Sequence, residues 1–417
     1  MKHDVVVIGA GVIGVCTALA LQQKALHKKA QQILLVDRYK PAAGASFGNA
    51  GAIVNGSCVP TSMPGILNDV LKMIFKPHNP LSIRPSYLPK LLPWLIRFMN
   101  ESRISLAHQN AENLFALSKH SVSAWRELTN ETPLEDLLGK GGWLKVYESK
   151  NTFNSTLRAR ELMTQIGTQY EILDRDDIRD LEPNLALIFN YGFFQKDRLN
   201  ILDPGRLVDG LVEQFLQLGG KFEKFSVEEI QVTPTHHSLK GQGAELLADK
   251  VVLATGAASK KLARQMGDSI PLDTERGYHM MFPVATKSLL NRPVVNGESS
   301  FVLSPLEAGI RMTSQIEFAG VEGMADYSHI RRLMPEVKRM LPDIELKEES
   351  VWMGCRPSLP DSLPVIDFSK RSHKLIYAFG HHHLGMTLGA VTGLLIADLL
   401  NTGSSSIDIK PYRANRF

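Results

Sequence analysis

Disulfide chemistry is the first thing this chain does without. Its three cysteines, Cys16, Cys58 and Cys355, are odd in number, far apart and lack a C-x-x-C pair, which excludes a disulfide framework and a zinc ribbon. A reducing compartment fits that usage. Charge of one sign is also scarce. Lys and Arg total 47 against 43 Asp and Glu, and no block of about five like charges occurs, so a surface built to grip nucleic acid is excluded. The balance of +4 is mild for 417 residues, though compatible with an anionic membrane surface. No uninterrupted apolar run reaches the ~18 residues of a spanning helix. Met1 and Lys2 ahead of an apolar run resemble a secretory leader, but Asp4 and the glycines at 9, 11 and 14 make that run a strand and a turn, and a mature cytoplasmic N-terminus is expected. Internal repeats and low-complexity linkers are lacking too.

What is present is an ordinary globular composition, 44% hydrophobic and 22% charged, over a length that exceeds a single core and predicts two intimately joined domains. Asp4-Val5-Val6-Val7-Ile8 is a continuous β-branched run, as in a strand buried on both faces of a parallel sheet. Gly9-Ala10-Gly11-Val12-Ile13-Gly14 follows as G-x-G-x-x-G, and a helix continues from Val15 to Leu26. Gly9 permits a tight turn, Gly11 lets backbone approach a pyrophosphate, and Gly14 lets helix and strand pack closely. The helix N-terminus then offers amide donors and positive dipole to phosphates. A second strand, Ile33 to Val36, ends at Asp37, placed to accept both ribose hydroxyls. Arg38 next to it leaves open a 2′-phosphate contact, a place along the adenine, or solvent. The unit alone does not choose FAD over NAD.

Later segments bear on that choice. Gly44-Ala45-Ser46-Phe47-Gly48-Asn49-Ala50-Gly51 is a small-residue loop whose bare backbone can lie against a flat ring or a phosphate. Lys250 to Ala254 forms another buried strand, ending in Thr255-Gly256, as though the chain returned to the first sheet. Leu375 to Phe379 is a strand, Gly380 to Gly389 a glycine- and histidine-rich loop, and Ala390 to Leu400 a helix. A helix N-terminus aimed at the pyrimidine side of a flavin stabilises the charge of its reduced form by about 0.3 to 2 kcal/mol.

These elements, together with Gly354-Cys355-Arg356-Pro357 and Gly380-His381 with Leu384-Gly385, resemble the D-amino-acid oxidase superfamily over nearly the whole chain. Within it the chain is most similar to bacterial D-amino-acid dehydrogenases, and Pro360-Asp361-Ser362-Leu363-Pro364 with Arg276-Gly277-Tyr278-His279 resembles the branch acting on D-hydroxyproline. The resemblance implies an α/β plus α+β architecture, with a Rossmann-type FAD-binding domain (1–60, 196–275 and 350–417) interleaved with a substrate domain (61–195 and 276–349) on a mixed or antiparallel sheet. It implies that FAD is held by Gly9, Gly11, Val12, Ile13 and Gly14 at the first turn, by Asp37 and Arg38 beyond β-strand two, and by Gly44, Ala45, Ser46, Asn49, Ala50 and Gly51. Val227, Thr255 and Gly256 from the middle of the chain would join them, with Gly380, His381, Leu384, Gly385, Met386 and Thr387 near its end. The activity implied is oxidation of a small D-amino or D-imino acid to its imine, with electrons passed to a quinone or another acceptor.

Hydride removal from an amine-bearing carbon asks mainly for positioning. Arg356 is the candidate to hold the substrate carboxylate, a role that the family's arginine implies, on a loop stiffened by Pro360 and Pro364. Tyr278 and His279 either close the pocket or bind a ring hydroxyl, or else are a core tyrosine and a surface histidine. Arg311 is expected at a strand surface. His381-His382-His383 are too close in sequence to converge on one ion, and no metal is expected. Leu91 to Met99, with Lys72, Lys76, Arg84 and Lys90 upstream, reads as a helix over the substrate domain or as a peripheral membrane contact. An oxidase using oxygen on glycine or sarcosine, a non-catalytic flavin subunit and an NAD(P) enzyme built on the first unit alone stay open.

Overall fold

The β-branched run at the N-terminus becomes β1 (Lys2–Ile8), in which Val5, Val6, Val7 and Ile8 are all buried. It pairs in parallel with β2 (Ile33–Asp37), Val5 opposite Ile33 and Ile8 opposite Val36. The crossover between them contains the helix Val12–Ala25. That helix is buried around its whole circumference, because the sheet covers one side and the C-terminal helix Gly385–Thr402 covers another. Val15, Leu19 and Leu21 are fully buried, worth roughly 1.5–3 kcal/mol each. The computed structural model describes residues 2–25, 32–66 and 81–417, so Leu26, Lys72 and Lys76 of the sequence reading lie outside the described residues.

On the other flank of β1 runs β13 (Ala244–Leu253), parallel, with Val6 opposite Val251. Next to β13, also parallel, is β20 (Ser372–Phe379), with Val252 opposite Ile376. Two segments distant in sequence thus return to the first sheet, as their apolar runs predict. The sheet has eight strands, completed by β10 (Lys221–Lys224) beyond β2, and by β11 (Glu229–Val232), β12 (His237–Gly241) and β19 (Val365–Ser369).

A second sheet of nine strands has the order β18 (Ser350–Ser358), β14 (Asp273–Met281), β17 (Gly309–Phe318), β16 (Phe301–Leu306), β15 (Val294–Asn296), β6 (Trp143–Tyr147), β8 (Tyr191–Gln195) and β7 (Glu171–Leu173), with β4 (Leu81–Ile83) beside β17. The chain is therefore mixed α/β, a parallel-cored sheet with helices joined to a largely antiparallel one. Sheet membership cuts across the divisions expected at 275/276 and 349/350. β18 forms a nine-residue antiparallel ladder with β14, from Asp273–Ser358 to Met281–Ser350, so residues 350–358 and 273–275 belong to the second sheet.

Side chains alternate across this sheet with a period of two. Leu144, Val146, Tyr278, Met280, Leu303 and Met312 pack on one face with Ile330, Val337 and Met340. Lys145, Val302, Thr313, Gln315, Glu275, Gly277 and Arg356 line a cavity on the other. The helix Leu88–Glu101 buries Leu91 and Trp94 near Phe318, yet leaves Leu88, Leu92, Ile96 and Met99 exposed at helical spacing.

Candidate active site

The cavity occupies about 1430 Å³ and runs from the first glycine turn to the face of the nine-stranded sheet. At the turn, Gly9 has φ +108°, and a Cβ there would stand 2.4 Å from the Ala254 carbonyl oxygen. Only glycine satisfies both demands. A Cβ at Gly14 would overlap the Gly9 carbonyl, so this glycine serves helix packing and does not line the cavity. Gly9, Gly11, Val12 and Ile13 do line it. Asp37 closes the turn from β2: its Oδ2 accepts from Ala10 N at 2.7 Å and its Oδ1 from Tyr39 N at 2.9 Å. Arg38 lies at the rim, exposed, with its guanidinium 5.4 Å from the Tyr39 ring centre.

Gly44, Ala45, Ser46, Asn49 and Ala50 line the same cavity. Ser46 Oγ accepts from Val12 N at 2.9 Å, so one of the amides at that helix N-terminus is taken by the loop. Gly51 is not a lining residue; at φ +68° it turns the chain so that its carbonyl accepts from Ile201 N at 2.7 Å. The loop is pinned from the second sheet. Arg311, expected at a strand surface, is buried and donates to Phe47 O at 2.9 Å and Asn49 O at 2.8 Å. Val227, Thr255 and Gly256 line the cavity from the far side of the first turn.

The C-terminal helix brings a second N-terminus to the same place. A Cβ on Gly393 would stand 2.6 Å from the Cys16 backbone, and one on Gly389 2.9 Å from Val12 Cγ2. This small-residue stripe lets two helices cross at backbone contact, so Leu384, Gly385, Met386 and Thr387 open into the cavity beside Val12. The amides and dipoles of both helices then act on one space. Gly380, at φ +86°, forms the turn before the loop and does not line the cavity.

The three histidines diverge. His381 Nε2 meets Thr392 Oγ1 at 3.1 Å, His382 Nε2 accepts from Leu359 N at 2.8 Å, and His383 faces the cavity. Among the described residues no cluster of His, Cys, Asp or Glu fit to hold a metal occurs. Burial pushes the His381 and His382 imidazoles down to about 3, so they are neutral donors or acceptors.

Arg356 projects from β18 over Gly277, where a Cβ would stand 2.2 Å from Nη2, and its Nη1 donates to Gln315 O at 2.9 Å. Directly across the ladder stands Glu275, 4% exposed. His382 Nδ1 lies 3.8 Å from Glu275 Oε1. Burial raises the Glu275 carboxyl above its ordinary range against the pull of Arg356. Further along the wall, Lys145 lies over the Phe193 ring, 5.3 Å from its centre, and burial lowers its ammonium.

Tyr278 and His279 sit otherwise than the pocket-closing reading expects. Tyr278 points to the opposite face, donating to Glu317 Oε2 at 2.6 Å and accepting from Asp326 N at 3.2 Å. His279 is buried, stacked on Trp352 at 5.2 Å between ring centres with Phe47 at 5.9 Å, and neither residue lines the cavity. Burial, with the Arg311 charge, pushes His279 down to about 3. Glu275 and Gly277 were missed although strand alternation places them opposite Arg276 and Tyr278. A carboxylate inside an otherwise buried strand was the available signal.

A glycine turn without room for a Cβ, an acid beyond the second strand and two converging helix N-termini define a dinucleotide-dependent redox enzyme. The chain belongs to the DAO family of FAD dependent oxidoreductases, whose pattern matches residues 4–399. It is 31% identical over 429 aligned positions to a D-amino-acid oxidase of Bradyrhizobium diazoefficiens, covering 100% of this chain and 99% of that protein. A D-amino acid dehydrogenase of Rhizobium rhizogenes is 28% identical, covering 99% of each. In fold, the chain is similar to glycine oxidase from Geobacillus kaustophilus (TM-score 0.72, 21% identity, 100% and 99% coverage) and to L-proline dehydrogenase from P. horikoshii (TM-score 0.74, 16% identity, 100% and 98% coverage).

Proposed function

We propose that this enzyme oxidises D-amino or D-imino acids, proline-like ones among them, to the corresponding imines. In this reading the eight-stranded sheet and its helices hold FAD and the nine-stranded sheet forms the substrate wall. The observation that carries it is Arg356: a half-buried guanidinium with Nη1 tied to Gln315 O, facing a cavity continuous with the glycine turn. A planar guanidinium pairs with a carboxylate through two charge-assisted hydrogen bonds. Asp37 has the chemistry to accept ribose hydroxyls, the turn at Gly9 and Gly11 to admit a pyrophosphate, and the N-terminus of Gly385–Thr402 to face the anionic edge of the ring. Bound FAD supplies the two-electron acceptor for the substrate hydride. Arg356 orients the α-carbon, and the apolar Trp352 on the same face excludes water from it.

The same reading sends the electrons to a quinone-type acceptor at the cytoplasmic face of a membrane. The exposed Leu88, Leu92, Ile96 and Met99, interleaved with Lys90 and Arg97, support a peripheral contact. The helix within 382–402 is long and apolar enough to cross a bilayer, but 78% of its apolar window is buried in the protein, as befits a core helix.

The test is anaerobic bleaching of the flavin band by D-proline, cis-4-hydroxy-D-proline and D-alanine, followed by re-oxidation with oxygen or a quinone analogue. Arg356→Ala should lower kcat/KM by about 10² to 10⁴, the loss of two charged hydrogen bonds at about 1.5–3 kcal/mol each. Bleaching by none of the three refutes the substrate assignment, and re-oxidation by oxygen faster than by the quinone refutes the acceptor.

A further inference from the structure

We infer that Glu275 receives the amino group of the substrate and takes its proton, so that the cavity wall meets a zwitterion with a carboxylate and a guanidinium side by side. The inference rests on the amino-acid reading above and adds a residue to it.

Glu275 and Arg356 are directly opposed in the antiparallel ladder of β14 and β18, and both line the cavity. Opposed residues carry their Cβ atoms about 4.5–5.5 Å apart, close enough for one α-amino acid to span them, since its two charged groups share a carbon. The guanidinium does not spend itself on Glu275. It lies over Gly277 and bonds Gln315 O. A further neighbour, His382, is held in a fixed state. His382 Nε2 accepts from Leu359 N, which puts the ring proton on Nδ1, and Nδ1 has no hydrogen-bond partner among the described residues. At 3.8 Å from Glu275 Oε1 it stops short of a hydrogen bond. His382 holds this position with φ +51°, a left-handed conformation few side-chain-bearing residues adopt, and its ring is tied by the Leu359 bond.

Ser358 offers this buried carboxylate a hydroxyl but no opposite charge, and a substrate ammonium is the donor whose charge fits. Before hydride can leave the α-carbon, the amine must be neutral. One N–H bond of the ammonium breaks, its electron pair stays on nitrogen, and the proton forms an O–H bond on Glu275. No other reactant is needed. The groups facing Glu275 are Arg356 and Ser358 on β18, His382 on the C-terminal loop and Asp273 on its own strand. Burial, the largest influence, raises its carboxyl and makes it a better proton acceptor.

The experiment compares wild-type holoenzyme with Glu275→Gln and Glu275→Asp. For each, D-alanine and D-proline are set against propionate and cyclopentanecarboxylate, which keep the carboxylate and lack the amine. Glu275→Gln should lower kcat/KM about 100-fold at neutral pH and carry its optimum upward, toward the pH at which the free amine exists in solution. Affinity for the amine-free acids, read from perturbation of the flavin spectrum, should change less than about threefold, and Glu275→Asp should recover part of the loss. Equal losses of affinity for both ligand classes, or a kcat/KM within about threefold of wild type, overturn the inference. Failure of the wild type to be reduced by any D-amino acid refutes the proposed function instead. The spectral titrations still decide whether Glu275 discriminates ligands by their amine.

Discussion

The Gly277→Ala substitution isolates the position of the Arg356 guanidinium from its charge. The added Cβ would stand 2.2 Å from Nη2 and 2.3 Å from Cζ, against the 3.4 Å at which ordinary contact begins. The guanidinium must therefore retreat by about 1.2 Å, a displacement at the reacting geometry of the kind that costs on the order of 10²-fold in rate. The backbone at Gly277 does not need a positive φ, and the colliding atoms are the far end of a flexible side chain, so folding should be nearly undisturbed. Stopped-flow reduction under anaerobic conditions measures the first effect; flavin content and thermal melting measure the second. The expected result is a kcat/KM lower by about 30- to 300-fold, full flavin occupancy and a melting temperature within a few degrees of wild type. A variant that reduces its flavin at the wild-type rate refutes the argument that this guanidinium positions the substrate.

Gly9→Ala should act on the cofactor and the fold together. It combines φ +108° with a collision against the Ala254 carbonyl, and a cost of about 2–4 kcal/mol with flavin-poor protein is expected; purification of fully yellow, normally stable protein contradicts it. Acid should weaken the enzyme before its carboxylates titrate. Burial holds His381 and His382 at about 3 against 6.5 for the unfolded chain, so the unfolded state takes up protons first. Their stabilising contribution is complete above about pH 6.5 and falls as the pH drops toward 3, by up to about 2 kcal/mol per histidine at pH 5. Urea unfolding at pH 7.5 and pH 5 checks this, and equal stability at both rejects it. Leu92→Asp with Ile96→Asp should abolish co-flotation with anionic vesicles while leaving anaerobic flavin reduction by D-amino acids unchanged. Unaltered flotation removes the membrane role of that face.

Local order made the glycine turn and the strands around it legible. A buried β-branched run, glycines spaced for a tight turn and an acid ending the next strand are short-range signals, and the strands Ala244–Leu253 and Ser372–Phe379 joined them because parallel central strands must be apolar on both faces. Arg356 was legible through its motif. The cavity wall on the second sheet was less so. Whether Arg276 and Tyr278 or Glu275 and Gly277 meet the cavity depends on which face of β14 is turned inward, and a ladder partner decides that; His279 shares the face of Glu275 and Gly277 but is covered by Trp352 and Phe47. The assignment of residues 350–358 to the second sheet, the grip of Arg311 on the loop at Phe47 and Asn49, and the meeting of Glu275 with His382 join residues dozens to hundreds of positions apart. Such contacts arise when two sheets close on each other, and residue order alone does not encode the angle at which they close.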